Sequence, residues 1–256
     1  MAITIGSNNI SKIYVGSSEV SKIYLGSTEV YSAGSPSPMP SKGDIIQMDL
    51  DGTSRDYRVL AINGNIAKVM GLFDYSANIG VGYGPTNVYE TSYILSQLEN
   101  DFYGNLPSAI KAAIPSKTFY QKSYYTNTNG DPDYTGKHSN GTTYYISVAS
   151  NQFGNQITSH VNLLQIQDIL DYLEVTSDMT ASNTTLTRDN VYDMCWGSLT
   201  RTKSLMLMDA YANQDEMMLV VYNNGRIYED GIPTRGTDYR ARMVFEIDLT
   251  NISWTI

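Results

Sequence analysis

The sequence is short of the residues that most catalytic and binding chemistries need. One cysteine, Cys195, stands in 256 residues, so no disulfide can form within the chain and packing alone must hold the fold. Flanked by Met194 and Trp196, it reads as a small buried hydrophobe rather than a reactive thiol. His138 and His160 are the two histidines that could serve such a thiol as a base. Charge is sparse as well: Asp, Glu, Lys and Arg together make 17% of the chain, and the net charge is -9. The 17 Lys and Arg are scattered without a run, whereas phosphate recognition needs a clustered basic surface. Nucleic acid is therefore not an expected partner. No apolar stretch approaches the length of a membrane-spanning helix, so membrane insertion is not expected. Residues Met1 to Gly6 carry neither the basic start nor the apolar core of a secretory signal, so export by that route is not expected.

Catalytic signatures are missing too. There is no glycine-rich phosphate loop, no His-Glu-x-x-His run and no nucleophile elbow. Acidic pairs such as Asp49/Asp51 and Asp215/Glu216 are common on solvated turns, and Asp51-Gly52 reads more simply as a hairpin turn. A glycosidase needs two carboxylates facing each other across a cleft, an arrangement a sequence does not display. The expectation is a non-enzymatic protein without a cofactor. An enzyme acting on surface polysaccharide stands as a minor alternative.

What the chain has in quantity is tyrosine, 21 of them, set among Asn, Ser, Thr and Gly. It also has an internal repeat. Residues 3–31 read ITIGSNNISK, IYVGSSEVSK and IYLGSTEVY, with a period of ten. Gly6, Gly16 and Gly26 align, followed in each case by serine, as do Lys12 with Lys22 and Tyr14 with Tyr24. Glycine accepts the positive φ of tight hairpin turns, so a β-meander with strands near 10–15 and 20–25 is expected. About thirty residues bury too little surface to offset their ordering entropy. The continuous runs Ile13, Tyr14, Val15 and Ile23, Tyr24, Leu25 suit strands covered on both faces. Other copies of the chain, a partner protein or the chain's own C-terminal part must cover them. Residues 32–42, with Pro36, Pro38 and Pro40, then form an extended spacer, because proline fixes φ and removes donors.

Residues 43–256 read as an α+β domain. Ile45 to Leu50 and Tyr57 to Ile62 form an expected hairpin, with a further strand near 67–72. Ser92 caps a run in which Ile94, Leu95, Leu98 and Phe102 recur at helical spacing, and Pro107 opens a second short helix. A third helix is expected over 160–174, with Val161, Leu164, Leu170 and Leu173 inward, and strands near 204–208, 217–222 and 241–249.

The order of motifs in this domain resembles a family of bacterial and phage domains of unknown function. Tyr93 to Tyr103 is similar to that family's serine-led helix ending in "L-N-x-x-F-Y". Tyr145–Ser150 with Val161–Leu173 resembles its strand and short helix, and Met194 to Ser198 its Trp-x-x-Ser-like block. Val220 to Ile227 looks like its late hairpin, and Arg242 to Leu249 stands where it has "R-P-A-x-W-I-D-L". The resemblance spans roughly residues 43–250 and implies a C-type-lectin-like fold, a scaffold also used by variable phage receptor-binding proteins. The decapeptide repeat resembles N-terminal segments of phage tail and head-fibre proteins, in which "S-K-I-Y-L-G-S-T" strings are frequent.

Two polar segments are candidates for contact. Residues 120–143 carry Tyr124, Tyr125 and Tyr134 among small polar residues, and residues 223–239 carry Arg235 and Tyr239. Tyrosine offers a large apolar face and a polar tip at low entropic cost. The same tyrosines could instead pack within the domain. Asn127, Asn129, Asp131 and Asp133 alternate as oxygen donors, the type calcium prefers, but lack the glycine position and bidentate Glu of an EF-hand. A turn cluster explains them more simply. Taken together, the expected protein is a bacteriophage virion component, a fibre or decoration subunit. It would be held by residues 1–31 to other virion proteins or in a homo-oligomer (a trimer for preference). Its C-terminal domain would face a host-surface glycan or protein. The alternative is an architectural subunit whose C-terminal domain packs only against virion proteins.

Overall fold

The repeat closes as three separate hairpins. In the computed structural model, β1 (Thr4–Ile5) pairs with β2 (Asn8–Asn9), β3 (Tyr14–Val15) with β4 (Ser18–Glu19), and β5 (Lys22–Leu25) with β6 (Thr28–Ser32). Each forms a two-stranded antiparallel sheet of its own. Residue pairs Ile5–Asn8, Val15–Ser18 and Leu25–Thr28 bracket the three Gly-Ser dipeptides. Within the stretches expected as strands, near 10–15 and 20–25, the described strand residues are Tyr14–Val15 and Lys22–Leu25, each paired with the strand that follows it. A two-residue connection sets register at once, so the nearest strand wins the pairing. The structure describes residues 39–73, 88–125, 147–174, 188–196, 204–211, 217–221, 227–231 and 239–256. In the repeat it describes 4–5, 8–9, 14–15, 18–20, 22–25 and 28–32. The chain divides into two compact units, Met1–Pro40 and Ser41–Ile256.

The second unit is α+β. It opens with β7 (Ile45–Asp49), β8 (Ser54–Asn63) and β9 (Ile66–Gly71). After a 3-10 turn at Tyr89–Thr91 come α1 (Tyr93–Gln97), a π turn at Leu98–Phe102, a second 3-10 turn at Tyr103–Asn105, and α2 (Ser108–Ala113). Then come β10 (Lys117–Tyr125), β11 (Ser147–Ser159), β12 (Val161–Leu163), α3 (Ile166–Tyr172) and α4 (Arg188–Cys195). The end returns to strands: β13 (Ser204–Tyr211), β14 (Met217–Val221), β15 (Ile227–Gly231), β16 (Tyr239–Arg240), β17 (Met243–Asp248) and β18 (Trp254–Thr255).

These strands build two six-stranded sheets. The first runs β12-β17-β9-β8-β7-β18, so the first and last strands of the unit are neighbours. The second runs β11-β10-β13-β14-β15, with β16 beside β13. The central strands of the first sheet feed two apolar clusters. Val59, Val69 and Phe245 join one cluster with Ile94, Leu98 and Phe102 of the first helical segment. Leu60, Met70 and Val244 join the other with Ile169 and Leu170 of α3 and Val191 and Met194 of α4. Strand β13 does the same, sending Met206 and Met208 to the first cluster and Leu205 and Leu207 to the second. Because successive side chains point to opposite faces, a strand covered on both sides must be apolar throughout. That is why these strands read as continuous runs, while β7, at the sheet's margin, alternates exposed and buried residues.

Two expectations are corrected. The helix expected over 160–174 begins at Ile166, and residues Val161–Leu163 are a strand registered on Phe245 to Met243 of β17. Apolar content alone does not distinguish the two, and strand pairing on β17 captured the segment. The polar segment expected from 120 is strand as far as Tyr125, where β10 pairs with β11 from Lys117–Ser159 to Tyr125–Ser147.

The hairpin of β7 and β8 tests the local reasoning. Gly52 has φ +88, and its N–H donates to Asp49 Oδ1 at 2.7 Å. An added Cβ would meet nothing within 4 Å, so its cost is purely conformational. Gly52→Ala is expected to destabilise by about 1–2 kcal/mol, seen as a lower urea midpoint with an unchanged slope. An unchanged midpoint would show that the left-handed conformation is not required.

Candidate functional site

The junction between β12 and α3 is where the two sheets meet, and buried polar groups organise it. Asp209 on β13 is fully buried, and its Oδ2 accepts the N–H of Ile166, the first residue of α3, at 2.6 Å. Its Oδ1 accepts the N–H of Lys122 on β10 at 3.3 Å. Beside it, Gln121 is also fully buried: Oε1 accepts the N–H of Tyr89 at 2.8 Å and Nε2 donates to the Met208 carbonyl at 2.8 Å. The Tyr89 hydroxyl accepts the N–H of Leu163 at 3.1 Å, and Met208 N–H donates to the Leu164 carbonyl at 2.9 Å. Burial pushes the Asp209 carboxyl up to about 7, with the Ile166 and Lys122 N–H groups opposing and the Asp168 charge adding to the rise. Burial likewise lifts the Tyr89 phenol well above its ordinary value, so it stays neutral.

In front of this junction lies a polar cleft of about 180 Å³, walled by β9, β10, β12, β17 and the start of α3. Lys68 and Asp168 form an ion pair there, and Asp168 also accepts the N–H of Gln165 at 3.0 Å. Burial by itself would lower the Lys68 ammonium, but the Asp168 carboxylate outweighs it and holds the group above its ordinary value. Lys68 is therefore a fixed cation rather than an amine nucleophile. Glu246 of β17 stands opposite Lys68 in register and pairs with Lys117 Nζ at 2.9 Å. A second lobe of about 150 Å³ adjoins the first and shares Lys68, Lys117 and Glu246 with it.

One wall of the cleft is His160, at the corner between β11 and β12. Glu99 of the π turn fixes that corner: Oε1 accepts the N–H groups of His160 and Val161 at 2.7 and 2.8 Å, and Oε2 lies 3.0 Å from His160 Nδ1. The imidazole stacks on Tyr103 with ring centroids 3.8 Å apart and planes 9° from parallel. Asn162 Oδ1 accepts from the buried Ser159 hydroxyl at 2.6 Å.

The sequence candidates fall elsewhere. Tyr14 and Val15 lie on β3, and Ile23, Tyr24 and Leu25 on β5, while Ile13 is outside the described residues. Tyr124 and Tyr125 end β10, in register with Val148 and Ser147, and Tyr239 lies on β16 opposite Ser204. Tyr134, Arg235 and the oxygen-donor group Asn127, Asn129, Asp131 and Asp133 lie outside the described residues. Among the described residues no group of His, Cys, Asp or Glu is placed to hold a metal ion, and no helix is long and apolar enough to cross a membrane. Cys195 is fully buried and its thiol is pushed up to about 12, which removes it as a nucleophile at neutral pH. The cleft residues Lys68, Lys117, His160, Asp168 and Glu246 were missed by sequence reasoning. One signal was available: Lys68 is the single charge inside the otherwise apolar β9, and Glu246 interrupts the apolar run of β17 before its closing Asp248.

The fold and the cleft define an α+β domain with a preformed polar groove whose charges are internally paired. The chain matches no protein-family model, no curated protein and no solved structure.

Asp209 gives this region a pH dependence. Its carboxyl titrates near 7 in the fold and near 4 when unfolded. The folded state therefore binds the extra proton between those values, and the stability due to Asp209 falls as pH rises across that window. Asp209→Asn should flatten the curve between pH 4 and 7 relative to the native chain, as read from urea midpoints. Asp209→Ala should cost about 1–3 kcal/mol for each N–H left unpaired. Parallel curves for the native chain and Asp209→Asn would refute the assignment.

Proposed function

We propose that this chain is a bacteriophage virion protein, a fibre or decoration subunit, docked through residues 1–31 and presenting its C-terminal domain to the host surface. One observation carries the reading: each decapeptide repeat closes as its own hairpin. Isolated two-stranded hairpins are marginal in water, so three in series, with apolar residues at Tyr14–Val15 and Ile23 to Leu25, need neighbours to cover them. Copies of the same chain, with three favoured, or another virion protein supply that cover. The resemblance of the motif order to lectin-like domains supports a C-type-lectin-like reading of the α+β domain and its role in attachment, and the protein acts in the virion without catalysing a reaction.

A second reading is favoured by the internal pairing of Lys68 with Asp168 and Lys117 with Glu246, which balances the charges of these four cleft residues. In that reading the domain is architectural and packs against virion proteins without a receptor.

Deleting residues 1–40 is expected to leave a folded, soluble domain that sediments as a monomer and no longer joins particles. Normal incorporation of the truncated protein would overturn the docking role. Binding of the full chain to an array of bacterial surface polysaccharides separates attachment from architecture: reproducible binding supports attachment, and silence supports the architectural subunit.

A further inference from the structure

We infer that the two-lobed cleft on the first sheet is a binding site for a neutral disaccharide segment, one sugar ring in each lobe. The inference rests on reading the C-terminal domain as an attachment domain. It goes further by placing the site on β9, β10, β12 and β17, away from the tyrosine-rich segments.

Charge balance comes first. Asp168, Lys68, Glu246 and Lys117 succeed one another across the cleft floor, two acids and two bases in alternation. Their sum is zero, so these four groups present no net charge to attract a phosphate, a polyanion or a metal ion. Yet each ammonium carries three donors and each carboxylate several acceptor positions, more than one ion pair consumes. A hydroxyl both donates and accepts, so vicinal hydroxyls match adjacent ammonium and carboxylate groups, as a purely anionic or cationic ligand does not.

Geometry comes second. Lys68, Lys117 and Glu246 stand on strands, and Asp168, in the first turn of α3, is pinned by Lys68 and the Gln165 N–H, so the arrangement is set before any ligand arrives. Asn162 lines the cleft, and because its oxygen accepts from Ser159, its amide nitrogen is the group it can offer as a donor there. Phe119 adds a partly buried aromatic wall for the C–H face of a ring. The lobes, of about 180 and 150 Å³, lie below the ~300 Å³ at which sites for drug-sized ligands begin. Joined across the Lys117–Glu246 pair, they form a short groove rather than one deep pocket.

The test uses the full chain with maltose, lactose and N,N′-diacetylchitobiose as probes, read by titration calorimetry and saturation-transfer NMR of the sugar. At least one disaccharide is expected to bind. Lys117→Ala and Asn162→Ala should each weaken it tenfold or more, while Tyr93→Ala, exposed on α1, should leave it unchanged. Lys117 is half exposed, so its removal is expected to leave the melting temperature unchanged and report on binding alone. Failure of all three sugars to bind, or binding undiminished in both cleft variants, overturns the inference. The polysaccharide array separates the two readings. Array binding that survives Lys117→Ala sinks the cleft site and leaves attachment standing, whereas a silent array with disaccharide bound in the cleft keeps the site and removes the attachment role.

Discussion

The buried pairing of Asp209 and Gln121 with backbone groups of other elements is the constraint on which the C-terminal domain depends. Asp209 holds the first N–H of α3 and the backbone of β10, while Gln121 ties the Tyr89 turn to β13. A buried polar group costs little when satisfied and much when orphaned, so such contacts admit one arrangement of their partners. Apolar packing tolerates sliding; this network does not. It decides where β12 ends, where α3 begins and how the second sheet meets the first.

From that junction the rest of the domain is built by covering apolar surface. The central strands of the first sheet need cover on both faces, and the helices supply it: α1 and its π turn with α2 on one side, α3 and α4 on the other. Strand β13 of the second sheet contributes to both clusters, as β8, β9 and β17 of the first do, so the two sheets share both halves of the core. Glu99 plays a smaller part of the same kind by holding the corner at His160 through two backbone N–H groups. The cleft's charged groups are paired with one another, which offsets part of the desolvation penalty each would carry alone.

Much of the architecture was legible locally. Ser92 caps its helix as its position before an apolar periodic run implied, with its hydroxyl accepting the Leu95 N–H at 3.2 Å. The hairpin of β7 and β8 and strand β9 stand where alternation and the Asp-Gly turn placed them, because those signals act over a few residues. The segment 160–174 was misread for the opposite reason. Val161-Asn162-Leu163 has no local feature that rejects a helix, and pairing with the sequence-distant β17 made it a strand. The cleft was illegible on the same grounds: Lys68, Lys117, Asp168 and Glu246 come from four separate elements, and a lone charge in an apolar strand, as at Lys68, does not say which other charges it will meet.

By itself the sequence determined the decapeptide period with its hairpin turns, the proline-rich break after it, and the α+β character of the larger C-terminal unit. Those depend on backbone preference and on hydrophobic spacing, which are properties of neighbouring residues. The tertiary structure alone decided that Asp209 and Gln121 would be buried joints rather than surface polars. It also decided that two lysines and two carboxylates would share one groove. Such juxtapositions depend on strand order and register, which long-range packing selects and no local stretch of sequence encodes.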